Sequence, residues 1–91
     1  MAAFKHTYNF DPEIVRTVAI NIRKYRKAKG LTQEQVAVDI GVSPEFFRKF
    51  ESTQGSEGIS LKNVYKISKV LNTRIDKFFE PVDESEIRKK K

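Results

Sequence analysis

Two adjacent cations, Arg48 and Lys49, stand alone in an acidic part of this chain. Residues 31–60 hold no other Lys or Arg against five carboxylates. Residues 1–30 carry seven Lys/Arg against two acids, and residues 61–91 carry nine against five. Arginine offers a planar fork of N–H donors and lysine a mobile ammonium, so the pair can hydrogen-bond an anion or a row of polar acceptors. No nucleophile–base pair accompanies them. The chain has no cysteine, and His6 is its one histidine. Thiolate ligation, disulfides, a His-based metal site and a His-dependent triad are therefore excluded. With no catalytic constellation to name, the residues point to non-covalent binding by a protein that is not an enzyme and needs no cofactor. A net charge of +6 over 91 residues favours a polyanionic partner. Ordinary solvated charge accounts for that total equally well, so charge alone does not decide.

The elements that must position these residues are helices. At 91 residues, with 38% apolar and 33% charged side chains, the chain reads as one small domain. In "DPEIVRTVAINIRKYRKAKG", Asp11 is placed to cap a helix, Pro12 to open it, and Gly30 to stop it. Ile14, Val18, Ile22 and Tyr25 form its apolar stripe. Thr32 and Gln35 have the spacing of a capping box, and Leu31 and Val36 that of a hydrophobic staple. That second helix ends at Gly41, and Ser43 with Pro44 opens a third after a very short turn. "STQGSEG" is a polar loop. Ser60 caps a fourth helix whose buried side is expected to hold Leu61, Val64, Ile67 and Leu71, with Asn72 as its stop. A short fifth helix is expected over Ile75–Phe79, before Pro81. The alternation in "FKHTYNF" is a weak strand signal, readable as an ordered arm or as aromatics patching the surface. No apolar run reaches membrane-spanning length, and "MAAFKHTYNF" has no apolar signal core, which implies a cytoplasmic protein.

From Gln33 to Ser52 the pattern resembles the helix-turn-helix of the Cro/C1-type, phage repressor-like family. Ala37 provides the small residue where two helices approach closely. Gly41 can take positive φ in the turn. Val36, Ile40, Val42, Phe47 and Phe50 fill the motif's inward positions. "IRKYRKAKGLTQEQVA" and "ISLKNVYKISKVLNTRIDKFFE" extend the resemblance over roughly residues 14–80. The implied fold is all-α, a five-helix bundle of the phage-repressor type. It divides the chain into an arm (1–10), a helix-turn-helix domain (11–81) and a charged tail (82–91).

The resemblance also implies roles. The partner is double-stranded DNA, with the third helix in the major groove. Thr32 and Gln33 are placed near phosphates, and Ser43, Pro44, Glu45, Phe46, Arg48 and Lys49 face the DNA. Arg26 and Glu51 occupy the positions of a pair that buttresses the recognition helix. Arg48 is readable as a guanine reader or a phosphate ligand, and Glu45 as an acceptor from cytosine or a helix-terminus charge. Phe46 either meets a thymine methyl or flanks the core. Gln54, Ser56, Ser60 and Lys62 are further phosphate candidates, in a loop longer than usual for the family and without its common proline. The family's C-terminal self-association surface falls on Ile75, Phe78, Phe79 and Val82, one or both phenylalanines being equally placed to complete the core. The expected function is a transcriptional regulator, a repressor acting as a homodimer. The alternative is an antitoxin-type regulator or a protein-interaction module whose main partner is another protein.

Overall fold

The computed structural model describes residues 13–56 and 58–82. Four α-helices follow one another: α1 (Ile14–Ala28), α2 (Gln33–Ile40), α3 (Pro44–Ser52) and α4 (Leu61–Val70). The fifth helix expected at Ile75–Phe79 is present with those bounds but is a 3-10 helix, so the bundle has four α-helices rather than five. Over these five residues the chain takes the tighter i→i+3 turn, seen in the Lys77 N–H bond to the Arg74 carbonyl at 3.0 Å. No strand occurs among the described residues. The arm at 1–10, with the strand reading of "FKHTYNF", and the tail beyond Val82 lie outside them. Asp11 and Pro12 lie outside as well, and Glu13 is the residue flanking the first helical position.

Side-chain caps punctuate the middle of the chain. Thr32 Oγ1 accepts from the Gln35 N–H at 3.0 Å, and Gln35 Oε1 accepts from the Thr32 N–H at 2.8 Å, which completes the capping box. Ser43 Oγ accepts from the Phe46 N–H at 3.0 Å, with Pro44 at the first helical position. Ser60 Oγ accepts from the Asn63 N–H at 3.1 Å. Gly41, at φ +84°, sits in the left-handed region that ends α2 and lets the chain enter α3 two residues later. Asn72, at φ +52°, stops α4 in the same way.

The core joins Val18, Ala19 and Ile22 of α1 to Val36, Ala37 and Ile40 of α2, Phe47 and Phe50 of α3, Val64, Ile67 and Leu71 of α4, and Phe78. Tyr25, Leu31, Val42 and Val70 pack against its edge. Leu61 departs from expectation, because it is 73% exposed rather than on the buried side of α4. It occupies the first position of that helix, and Ile59 from the preceding loop packs against the core instead. The loop after α3 closes onto α1 at Gly55. A Cβ there would lie 2.8 Å from both Val15 Cγ1 and the Val15 carbonyl oxygen, and φ is +77°.

Asn21 is a buried polar residue in the apolar face of α1. Its Nδ2 donates to the Phe78 carbonyl at 2.9 Å and the Glu80 carbonyl at 2.8 Å. Those bonds tie the C-terminal 3-10 helix to α1 and seat Phe78 against Tyr25, their ring centroids 6.1 Å apart. Oδ1 of the same side chain is buried without a hydrogen-bond partner.

Candidate nucleic-acid interface

The candidate interface is built on α3. Its sequence "PEFFRKFES" alternates what it buries and what it shows at helical spacing. Phe47 and Phe50 are buried with ring centroids 6.1 Å apart, and Glu51 closes the buried side. Glu45, Phe46, Arg48 and Lys49 are exposed on the opposite side, with Ser43 exposed and Pro44 half-buried at the start. Phe46 is 37% exposed and is not one of the core residues. Of three phenylalanines in one helix, two anchor it and one is presented.

A buried ion pair fixes how α3 is presented. Arg26 Nε donates to Glu51 Oε2 and Arg26 Nη2 to Glu51 Oε1, both at 2.8 Å. This bidentate fork matches guanidinium and carboxylate geometry, so it constrains direction as well as distance. The two side chains are 8% and 2% exposed. The third guanidinium nitrogen, Nη1, donates to the Leu31 carbonyl at 2.7 Å, so the cation also holds the α1–α2 connection. Gln33 Nε2 donates to Glu51 Oε1 at 2.8 Å. One carboxylate at the end of α3 is thereby bonded to α1 and to the first residue of α2.

The sequence places Arg26 and Glu51 together through the resemblance, and in the structure their side chains are hydrogen-bonded. Gln33 has a second task that the sequence does not announce, since its amide nitrogen is turned inward to Glu51 while the residue stays half-exposed. Thr32 and Ser43 both commit their hydroxyl oxygens to caps. Ser60, a loop candidate, does the same. Glu45 lies in the first turn of α3, where a carboxylate complements the helix dipole. Phe78 is fully buried, which selects the core alternative for this one of the two phenylalanines. Phe79 is 44% exposed, while Ile75 and Val82 are half-buried. Among the described residues no group of His, Cys, Asp and Glu could hold a metal ion. No helix among them is long and apolar enough to cross a membrane.

Known proteins share this arrangement. The helix-turn-helix family model matches residues 22–78, more than half of the chain and the whole stretch from the middle of α1 to Phe78. An uncharacterized HTH-type transcriptional regulator of Archaeoglobus fulgidus is 40% identical over 58 residues, covering 64% of this chain and 80% of that protein. A crystal structure of the hypothetical transcription factor NHTF from Neisseria superposes with a TM-score of 0.65 at 26% identity, covering 87% of this chain and 85% of the other. The chain belongs to the helix-turn-helix family of the Cro/C1 type, a non-enzymatic family of DNA-binding transcriptional regulators.

Proposed function

We propose that this protein is a sequence-specific regulator of transcription that binds an operator in double-stranded DNA and represses by occluding it. The observation that carries this reading is the clamped, outward-facing α3. Its end is held by a buried bidentate ion pair while Arg48 and Lys49 are exposed on its outer face. A helix held this firmly can enter the major groove in a fixed register, where Arg or Lys donates to guanine O6 and N7. Phe46 lies on the same outer side and suits contact with a thymine methyl. Thr32, Gln33 and Ser43 lie near the phosphate backbone in this reading, with Pro44 opening α3 and Glu45 facing the groove.

One helix pair makes few base contacts, so a homodimer reading two half-sites one helical turn apart fits the reading best. With Phe78 committed to the core, the candidate self-association surface contracts to Phe79 with Ile75 and Val82. Exposed Leu61 and Tyr65 on α4 favour a second reading, in which a protein partner, such as the toxin of an antitoxin pair, docks there. A cytoplasmic location accompanies either reading.

The test is selection of binding sites from random duplexes, followed by affinity measurement for Arg48→Ala and Lys49→Ala. Enrichment of a two-fold symmetric site is expected. Each substitution should weaken binding to it while leaving the thermal midpoint within the range of a surface change, about 0.5 kcal/mol. Affinity and salt slope unchanged in both variants would remove α3 from the groove.

A further inference from the structure

We propose that Lys66 of α4 is a positioning residue for DNA recognition. Its ammonium holds the C-terminal end of α2, and with it the turn that starts α3, in the conformation that reads bases. The proposal rests on the DNA-binding reading above and adds to it a residue from outside the two helices of the motif. Lys66 Nζ donates to the Ile40 carbonyl at 3.2 Å, across 26 positions of the chain. Ile40 is the last residue of α2, and Gly41 and Val42 carry the chain on to Ser43, the cap of α3. Lys66 is half-buried, so salt screens its charge less than that of a fully solvated lysine.

The end of α2 lacks a charge that the ends of the other α-helices carry. α1, α3 and α4 each hold a Lys or Arg in the last turn, and α2 holds none. Its last turn contains Asp39 instead, a carboxylate at the negative end of the helix dipole. The backbone satisfies part of this end. The Ala37 carbonyl accepts from the Gly41 and Val42 N–H groups at 2.9 and 3.0 Å, and the Val38 carbonyl from Gly41 at 3.2 Å. The Ile40 carbonyl lies past that closure and takes the ammonium from α4. A cation at a helix C-terminus both bonds the last carbonyls and is favoured by the dipole. Because α2 draws this cation from another helix, the charge is a tether between α4 and the turn as well as a cap.

The tether completes the support of α3. The far end of that helix is held at Glu51 by Arg26 and Gln33. Its near end begins two residues after Gly41, whose φ of +84° sets the direction in which the chain leaves α2. Holding the Ile40 carbonyl fixes the peptide plane that joins Ile40 to Gly41. Rotation of that plane would swing the start of α3, with Glu45, Phe46, Arg48 and Lys49, about the clamped end. A phosphate contact tolerates such a swing, since a mobile ammonium can follow the anion. A base contact does not, since its donors and acceptors must meet in fixed directions. Lys66 therefore acts on discrimination between sequences rather than on attachment to DNA in general.

The experiment compares affinity for the site selected from random duplexes with affinity for a random-sequence duplex. Both are measured over a NaCl series, at a temperature where every variant is folded. The full chain is used as wild type, Lys66→Met, Lys66→Arg and Lys69→Met. Methionine keeps most of the stem and removes the charge. Lys69→Met removes an equal charge from α4, at an ammonium that lies over the Tyr65 ring, 5.3 Å from its centroid. Losing the tether costs recognition no more than a helix-terminus charge supplies, so Lys66→Met should lower the ratio of selected to random affinity about two- to fivefold. Its salt slope on the random duplex should stay at the wild-type value. Lys66→Arg and Lys69→Met should keep the wild-type ratio. In the DNA-free chain, Lys66→Met should speed amide exchange at Gly41 and Val42 relative to Gln35, which is capped at the other end of α2. An unchanged ratio in Lys66→Met, with wild type binding its selected site, would overturn the positioning role and leave the DNA reading standing. A slope lower by about 0.9, with selected and random affinities falling together, would make Lys66 a phosphate ligand and overturn it as well. Unchanged exchange at Gly41 and Val42 would overturn the tether itself. Failure of wild type to select any site would overturn the DNA reading, and with it the part of Lys66 in recognition.

Discussion

Replacing Glu51 tests whether the presentation of α3 depends on a buried charge pair or on apolar packing alone. Glu51→Gln keeps the shape and removes the charge. The native carboxylate accepts three hydrogen bonds at 2.8 Å, two from Arg26 and one from Gln33. After the change, the Arg26 guanidinium stays buried beside neutral acceptors only, among them the Leu31 carbonyl. Removing one partner of a buried pair costs about 3–5 kcal/mol, because the surviving charge is stranded away from water. For a domain of this size the lower figure corresponds to a fall in thermal midpoint of about 12–24 °C. Arg26→Met should cost a similar amount by stranding the carboxylate. The double variant Arg26→Met/Glu51→Leu leaves no buried charge, and it is expected to recover most of the stability. Urea denaturation of wild type, Arg26→Met, Glu51→Leu and the double variant closes the double-mutant cycle, with an expected coupling of at least about 2 kcal/mol. Duplex affinity supplies the second readout. The double variant, though stable, should bind its selected site more weakly, because apolar packing lacks the direction of the fork. A Glu51→Gln cost below about 1 kcal/mol, with no coupling in the cycle, would mean that the pair behaves as a solvated surface bridge despite its burial.

Three further substitutions test other parts of the fold. Gly55→Ala combines a left-handed φ with a Cβ 2.8 Å from a backbone oxygen that cannot rotate away, so it should cost more than about 2 kcal/mol. Gly41→Ala has the same φ problem but open space around its Cβ, and should cost only about 1 kcal/mol; equal midpoints in a denaturation series would refute the steric part. Asn21→Ala removes both bonds to the C-terminal segment and should cost about 2 kcal/mol. Its signature is faster amide exchange over residues 75–80 than in α2 and α3. Uniform acceleration across the domain would show that Asn21 does not act on that segment in particular.

What was legible in the sequence was mostly local. Helix starts at Thr32, Ser43 and Ser60 were readable because a cap bonds an N–H two or three residues on, with no need of the rest of the fold. The stops at Gly41 and Asn72 were equally local, since a left-handed φ is a property of one residue. The inward Val36, Ile40, Phe47 and Phe50 followed from the family's motif, as did the Arg26–Glu51 pair.

Where several elements had to meet, spacing along the chain was not enough. Leu61 has the period of a buried residue, yet at the first position of α4 it is exposed. Phe78 and Phe79 are adjacent and identical in type, and only the docking of the 3-10 helix on α1 separates the core residue from the exposed one. Asn21 reads as a polar interruption of an apolar stripe, and its bonds reach residues 57 and 59 positions away. By itself, the sequence determined the helices, their caps and the family, because those depend on neighbours along the chain. Tertiary structure decided which apolar residues stay exposed and what Gln33 and Asn21 hold. Those outcomes depend on which groups approach across the fold, and spacing along one helix does not encode them.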